Sequence, residues 1–217
     1  MLIEVFADFS CPWCFIGRRR LARALELRPQ LSMRTVWQPF QLNPEIPPEG
    51  IGRRQYSLGK LGDFDRLVAM EQMLSESGGK DGIRFKFDQI QRIPNTMAAH
   101  RLMRLAARTQ HDDLLADRLF SSFFEQGKDI GNLEMLADIA ASVGMDRAAA
   151  LTFLHGRDEA DAVASIDALG HQSGIAGVPY FIFDRRYALA GAQEPVSFLP
   201  LFDALIATSD EMMASPA

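Results

Sequence analysis

Apolar positions open the chain in a short block, Leu2-Ile3 and Val5-Phe6-Ala7 around a single Glu4, which has the length and character of a buried strand. A helical pattern follows from about Cys11 to Leu27 and stops at Arg28-Pro29. Met33 to Phe40 then alternates imperfectly around Val36, Trp37 and Phe40, which predicts a second strand running out into a loop. Strand, helix, strand in this order predicts a parallel crossover unit.

The texture changes at Asn43. Asn-Pro-Glu-Ile-Pro-Pro-Glu-Gly is rich in turn formers and reads as an extended crossing into another region. Beyond it the apolar residues recur at intervals of three and four. Asp63 caps a helix through Ser77 with Leu67, Met70 and Leu74 on one face, and Gly78-Gly79 ends it. Ile83 to Phe87 alternates like a short strand. Asn95 and Asp112 read as caps of helices reaching about Thr109 and Gln126. Asn132 and Asp146 cap two more, ending near Val143-Gly144 and Leu154, and a further helix runs from Asp158 to Ser173. Such stripes pack on one another as in a small bundle.

Past Gly174 the strand signal returns. Tyr180 to Phe183 and Tyr187 to Ala190 flank the turn Asp184-Arg185-Arg186, a hairpin, and a last helix spans about Glu194 to Ile206 before a tail, 207–217, expected to fray. Sheet elements thus sit at both ends and helices in the middle. The pattern predicts one discontinuous α/β domain, 1–42 with 174–217, carrying an all-helical insertion over 43–173.

The 217 residues suffice for a real core. A formal charge of −5 and an isoelectric point near 5.4 offer no attraction for nucleic acid or anionic lipid. The local run Arg18-Arg19-Arg20 reads as a solvated helix face. Met1 to Val5 has no basic lead and no apolar signal core, and no stretch has the length of a membrane span, so a cytoplasmic protein is expected.

Chemistry concentrates in Asp8-Phe9-Ser10-Cys11-Pro12-Trp13-Cys14, which holds the chain's two cysteines. Three apart at the start of a helix, they share its first turn, where the sulfurs can bridge with little backbone movement. Unpaired N–H groups and the positive end of the helix dipole stabilise a thiolate at Cys11, the attacking species in disulfide exchange. Cys14, one turn deeper, resolves a mixed disulfide formed at Cys11. Pro12 suits the first turn, where its missing N–H costs nothing, and Trp13 places an apolar surface beside the sulfurs. No second cysteine pair exists, and His100, His111, His155 and His171 have no close ligand spacing, so no metal is expected. Cys-X-X-Cys beside a strand-helix-strand unit is the signal of a thioredoxin-like redox site.

Cys-Pro-Trp-Cys at 11–14, Gly177-Val178-Pro179 before an apolar strand and the helical block between them resemble the DsbA-like oxidoreductases of the thioredoxin superfamily. Within that group the FrnE-type branch is most similar, through Cys11 to Gly17, Phe40-Gln41-Leu42-Asn43-Pro44, Pro94-Asn95-Thr96 with His100-Arg101, and Gly191-Ala192-Gln193. The resemblance implies a thioredoxin-like fold, and a cis Val178-Pro179 bond against the cysteines. There the Val178 backbone would pair with a bound peptide or with glutathione, and Pro179 would add no competing donor. Asn43, His100 and Gln193 fall in matching stretches and would line a substrate cleft; turn, cap or core duties are their structural alternatives. Asp8 would either accept a proton during resolution or serve the strand-to-helix turn.

The DsbA pattern commonly places His between the cysteines, where its positive charge favours the thiolate; Trp13 cannot supply that. A potential of roughly −180 to −250 mV is therefore expected, between the thioredoxin and DsbA extremes. The function expected is disulfide reduction or isomerisation in a protein or small-molecule substrate, with no bound cofactor and with glutathione or a thioredoxin-type dithiol as reductant. The same superfamily branch resembles glutathione-dependent 2-hydroxychromene-2-carboxylate isomerases and kappa-class glutathione transferases, which typically carry Ser at the first motif position. That chemistry is the enzymatic alternative, and a peptide-binding holdase is the non-enzymatic one.

Overall fold

The structure is a computed structural model, and it describes residues 1–61 and 63–214. Strand β1, Leu2–Ala7, buries Ile3, Val5 and Ala7 on one face and leads into helix α1, Pro12–Glu26. β2, Arg34–Pro39, returns parallel to β1 in register Leu2 to Arg34 through Ala7 to Pro39, the crossover predicted from the pattern.

A helical insertion follows. A two-residue strand β3, Ile51–Gly52, pairs with β4, Arg92–Ile93, and between them run α2, Arg53–Leu61, and α3, Phe64–Gly79. Then come α4, Met97–Ala107, α5, Asp112–Phe124, α6, Leu133–Ser142, α7, Arg147–His155, and α8, Ala160–Gln172. The chain re-enters the sheet through β5, Tyr180–Phe183, antiparallel to β1, and β6, Tyr187–Ala190, antiparallel to β5. A 3₁₀ turn, Pro195–Phe198, precedes α9, Leu199–Ala214. Sheet order is β2-β1-β5-β6. This is a thioredoxin fold with a helical insertion.

Two aromatic clusters fix the site helix. Phe15 of α1 stacks on Phe120 of α5 at 5.4 Å between ring centres and on Phe124 at 6.1 Å, tying the insertion to α1. Phe181 and Phe183 of β5 meet Phe198 and Phe202, while Phe6, pointing to the opposite face, rests on Gly170 of α8. The sheet is therefore covered on both faces, and the end of β1 leads directly into the turn that carries Cys11.

Asp63, Asn132 and Asp146 cap α3, α6 and α7 through their side chains, as their positions predicted. Other details differ. Ile83 to Phe87 forms no strand: among the described residues it joins no ladder, its Ile83 and Lys86 N–H groups donate instead to the Gly78 and Phe124 carbonyls, and a 3₁₀ turn begins at Phe87, while Phe85 and Phe87 stack at 4.7 Å against Phe124. Asn95 lies one residue before the α4 cap position, Thr96; its Oδ1 accepts from the Met97 N–H while its Nδ2 donates to the Ile46 carbonyl. Asp112 is the first residue of α5, after His111 at the cap position. α8 starts at Ala160, because Glu159 holds a left-handed conformation (φ 64°) that breaks the helical path. The last helix begins five residues later than Glu194 and continues through Ala214, so the expected fraying of 207–214 is not seen; 215–217 lie outside the described residues.

Candidate active site

Cys11 occupies the N-cap of α1 in an extended conformation (φ −93°, ψ 113°), with Pro12 next in the first turn. Its N–H donates to the Asp8 carbonyl at 3.0 Å, and its own carbonyl accepts from Cys14 at 3.1 Å. The two cysteines are thus pinned on one turn. Both are free thiols, and both are covered, 3% exposed at Cys11 and 1% at Cys14. Cys11 is less open than the motif implied because the chain before β5 roofs it: its thiol donates to the Val178 carbonyl at 3.6 Å. The Val178–Pro179 bond is cis. Among the described residues, the Val178 N–H has no partner.

Burial pushes the Cys14 thiol well up, and the adjacent Cys11 sulfur adds to the rise. Cys14 is accordingly a protonated thiol at neutral pH, whereas Cys11 sits at the N-cap, the positive end of the α1 dipole, and makes no side-chain capping bond. Gly17 completes the contact, since a Cβ there would stand 2.7 Å from the Pro179 ring. Only a residue without a side chain lets α1 approach Pro179 this closely.

Behind the cysteines lies a buried polar frame. Asp8 accepts from the Ser10 N–H at 2.9 Å, the Ser10 hydroxyl at 3.0 Å and the Leu42 N–H at 2.7 Å; burial nevertheless raises its pKa. One residue earlier, the Gln41 N–H donates to Asp167 at 2.6 Å, so two carboxylates hold successive amides of the loop after β2. Asn43 is buried, and its Oδ1 accepts from Lys60 at 2.7 Å and from the Tyr56 hydroxyl at 3.5 Å, both on α2. Pro12 borders a cavity, and Trp13 is half-buried against the core.

His100 lies in the core, its ring 5.1 Å from that of Phe9 and its Nε2 without a hydrogen-bond partner. Burial lowers its pKa to about 4, against a smaller upward pull from Asp167. A depressed folded-state pKa means the unfolded chain binds the extra proton first. The neutral ring's contribution is complete above pH 6.5 and is lost as pH falls through about 4. That loss amounts to about 3 kcal/mol at most, at 1.36 kcal/mol per unit. Urea unfolding at pH 7.5 and pH 4 is expected to show the drop in the natural protein and a smaller one in His100→Phe, which keeps the contact with Phe9. Equal drops would remove His100 as the cause.

Gln193 is exposed, and its Nε2 donates to the Ala190 carbonyl at 2.9 Å. Its loop is nonetheless joined to the site, because the Gly191 N–H donates to the Pro179 carbonyl at 2.8 Å.

Arg20 and Tyr56 were not legible as site residues. Arg20 is buried and does not belong to a solvated face. Its guanidinium reaches Asp81 at 2.7 Å, the Ala192 carbonyl at 2.7 Å and Glu194 at 2.8 Å. Consecutive helix residues diverge by about 100° each, so three adjacent arginines cannot share one face. That signal was in the sequence; the identity of the partners was not. Among the described residues no group of three or more His, Cys, Asp or Glu side chains is placed to hold a metal ion, and no helix is long and apolar enough to cross a membrane.

The sequence pattern of the DsbA-like thioredoxin domain matches residues 2–201. An uncharacterized protein of Bacillus subtilis (strain 168), YwbO, is 26% identical over 183 residues, covering 83% of this chain and 85% of its own. The crystal structure of a probable DsbA oxidoreductase from Streptomyces coelicolor superposes with a TM-score of 0.85 at 26% identity, over 100% of this chain and 92% of that one. The cytosolic disulfide reductase DsbM from Pseudomonas aeruginosa, solved with GSH, shares the fold with a TM-score of 0.65 at 16% identity, over 99% of this chain and 100% of its own.

Proposed function

The chain belongs to the DsbA-like thioredoxin domain family, and we propose that within it this protein reduces or isomerises disulfides through Cys11 and Cys14. The observation that carries the reading is the Cys11 thiol facing the Val178 carbonyl beside Pro179, with a second free thiol one turn below. A substrate strand pairing with the Val178 N–H and C=O would bring its disulfide to Cys11.

Cys11 as thiolate attacks one sulfur of the substrate disulfide, forming a mixed disulfide and releasing the other sulfur as a thiolate that takes up a proton. Cys14 then loses its proton and attacks Cys11 Sγ. The Cys11–Cys14 disulfide forms, the second substrate thiol leaves, and the substrate has gained two electrons and two protons. Asp8, whose pKa is raised, is the proposed acceptor of the Cys14 proton. Two glutathione thiols or one dithiol reductant restore the pair. In isomerisation Cys11 leaves after the substrate rearranges, and Cys14 is the escape route. Val178, Pro179, Pro12 and Trp13 form the proposed substrate contact, with Asn43, Gln193 and His100 around it; we place the reaction in the cytoplasm, whose poise of about −220 to −320 mV favours the reduced pair.

Equilibrium titration against glutathione, with alkylation and mass read-out, tests this directly. A two-electron transition between about −180 and −250 mV is expected. A value near −120 mV would overturn the poise argued from Trp13. A stable single glutathione adduct at Cys11 would instead point to the glutathione-dependent isomerase or transferase chemistry.

A further inference from the structure

The two residues flanking Cys11 line a cavity that the exchange chemistry does not use. It has a volume of about 100 Å³, with Ser10 and Pro12 at one side, Leu74 and Phe124 below, and Tyr56 and Met70 at the mouth. Leu74 and Phe124 are core residues, whereas Met70 is 38% exposed, so the space runs from the surface to the residues beside the reactive sulfur. Its wall includes Arg53 and Glu71, which are ion-paired to each other; neither charge is free to recruit a charged group. The Tyr56 hydroxyl is turned to Asn43. What the cavity offers a visitor is therefore mainly carbon.

We propose, resting on the disulfide-exchange reading, that this cavity is a specificity pocket for an uncharged aliphatic side chain next to the reacting cysteine of a polypeptide substrate. The polypeptide is indicated by the Val178 N–H, which has no partner among the described residues, and by the Val178 C=O, which holds only the Cys11 thiol; together they would pair with a peptide backbone. Once a substrate sulfur is bonded to Cys11, the residues on either side of it are those within reach of a space bordered by Ser10 and Pro12. Size decides which of them fit. A dry cavity of about 150 Å³ accepts benzene, so about 100 Å³ suits a valine- or leucine-sized branch and excludes an indole.

The test uses the full-length reduced protein and peptides in which one cysteine is joined by a disulfide to a chromogenic thiol, with Gly, Ala, Leu or Trp in turn on each side of that cysteine. Leu at one of the two positions is expected to raise kcat/KM at least about tenfold over Gly, with Trp no better than Gly, since burying a leucine side chain supplies that much. Met70→Trp, which fills the mouth, is expected to bring the Leu-to-Gly ratio to about one. Equal rates for Gly and Leu at both positions overturn the inference and leave the exchange chemistry standing. Retention of the preference in a folded Met70→Trp protein also overturns it, because the selectivity would then lie elsewhere. Failure to turn over any peptide, with no redox transition of the cysteines, overturns the functional reading itself. The series on the unmodified protein decides the matter even if the variant does not fold.

Discussion

Serine at position 11 is expected to abolish disulfide exchange, by at least about 10³-fold, while serine at position 14 leaves the first half of the reaction intact and stops the second. The asymmetry follows from the two environments. Cys11 occupies the helix N-cap, its thiol aimed at the carbonyl of Val178, where the proposed substrate strand would pair. A hydroxyl there is not ionised near neutral pH and forms no stable bond to a substrate sulfur. Cys14 is sealed at 1% exposure, with its thiol pushed well up, so it meets only a sulfur already attached to Cys11. Mixing the reduced Cys14→Ser protein with a peptide disulfide is therefore expected to yield a mixed disulfide at Cys11, visible as added mass and persisting until an external thiol releases it. Undiminished turnover by Cys14→Ser would remove the dithiol cycle and support monothiol chemistry with glutathione. Full suppression of client aggregation by the Cys11→Ser, Cys14→Ser double variant would support the holdase reading.

Elements with a complete local signal were legible. β5 and β6 were read to the residue, because apolar alternation and a polar turn are both written within eleven positions, and Asp184-Arg185 does adopt the left-handed turn the hairpin needs. The caps at Asp63, Asn132 and Asp146 were equally local. What failed depended on distant partners. β3 and β4 have two residues each and exist only because Ile51 and Ile93 meet across 42 positions. α2 follows the Pro-rich crossing without a capping signal, and Tyr56 and Lys60 acquire their place from Asn43. The alternation of Ile83 to Phe87 has no strand edge to join, so aromatic packing decides its course. At the site, Cys11 and Cys14 announced themselves by spacing, whereas the cavity beside them is assembled from α2, α3 and α5 and left no mark on the sequence.

Arg20 shows how such a distant contact shapes the chemistry. Its side chain is 8% exposed and that of Asp81 1%, so their ion pair is out of water, and removing one partner strands the other. Arg23 also holds Asp81, at 2.6 Å, and softens the loss, so Arg20→Met is expected to cost about 2–3 kcal/mol of stability by urea unfolding. A purely structural residue would do no more. Arg20, however, closes a ring of contacts: α1 carries both the Cys11 thiol on Val178 and the Arg20 guanidinium on Ala192, and the Gly191 N–H beside Ala192 holds the Pro179 carbonyl. Release of Ala192 is expected to loosen the segment proposed to receive substrate without touching the sulfurs. For the folded Arg20→Met protein at low temperature, KM for a peptide disulfide is therefore expected to rise about tenfold, with a smaller change in kcat and with the redox transition in place. Arg20→Lys should recover part of the stability but little of the KM, because one ammonium cannot span Asp81, Ala192 and Glu194 as a planar guanidinium does. If both variants lose stability yet keep the natural KM, Arg20 is a structural ion pair and the receiving strand is positioned by Gly17 and Pro179 alone.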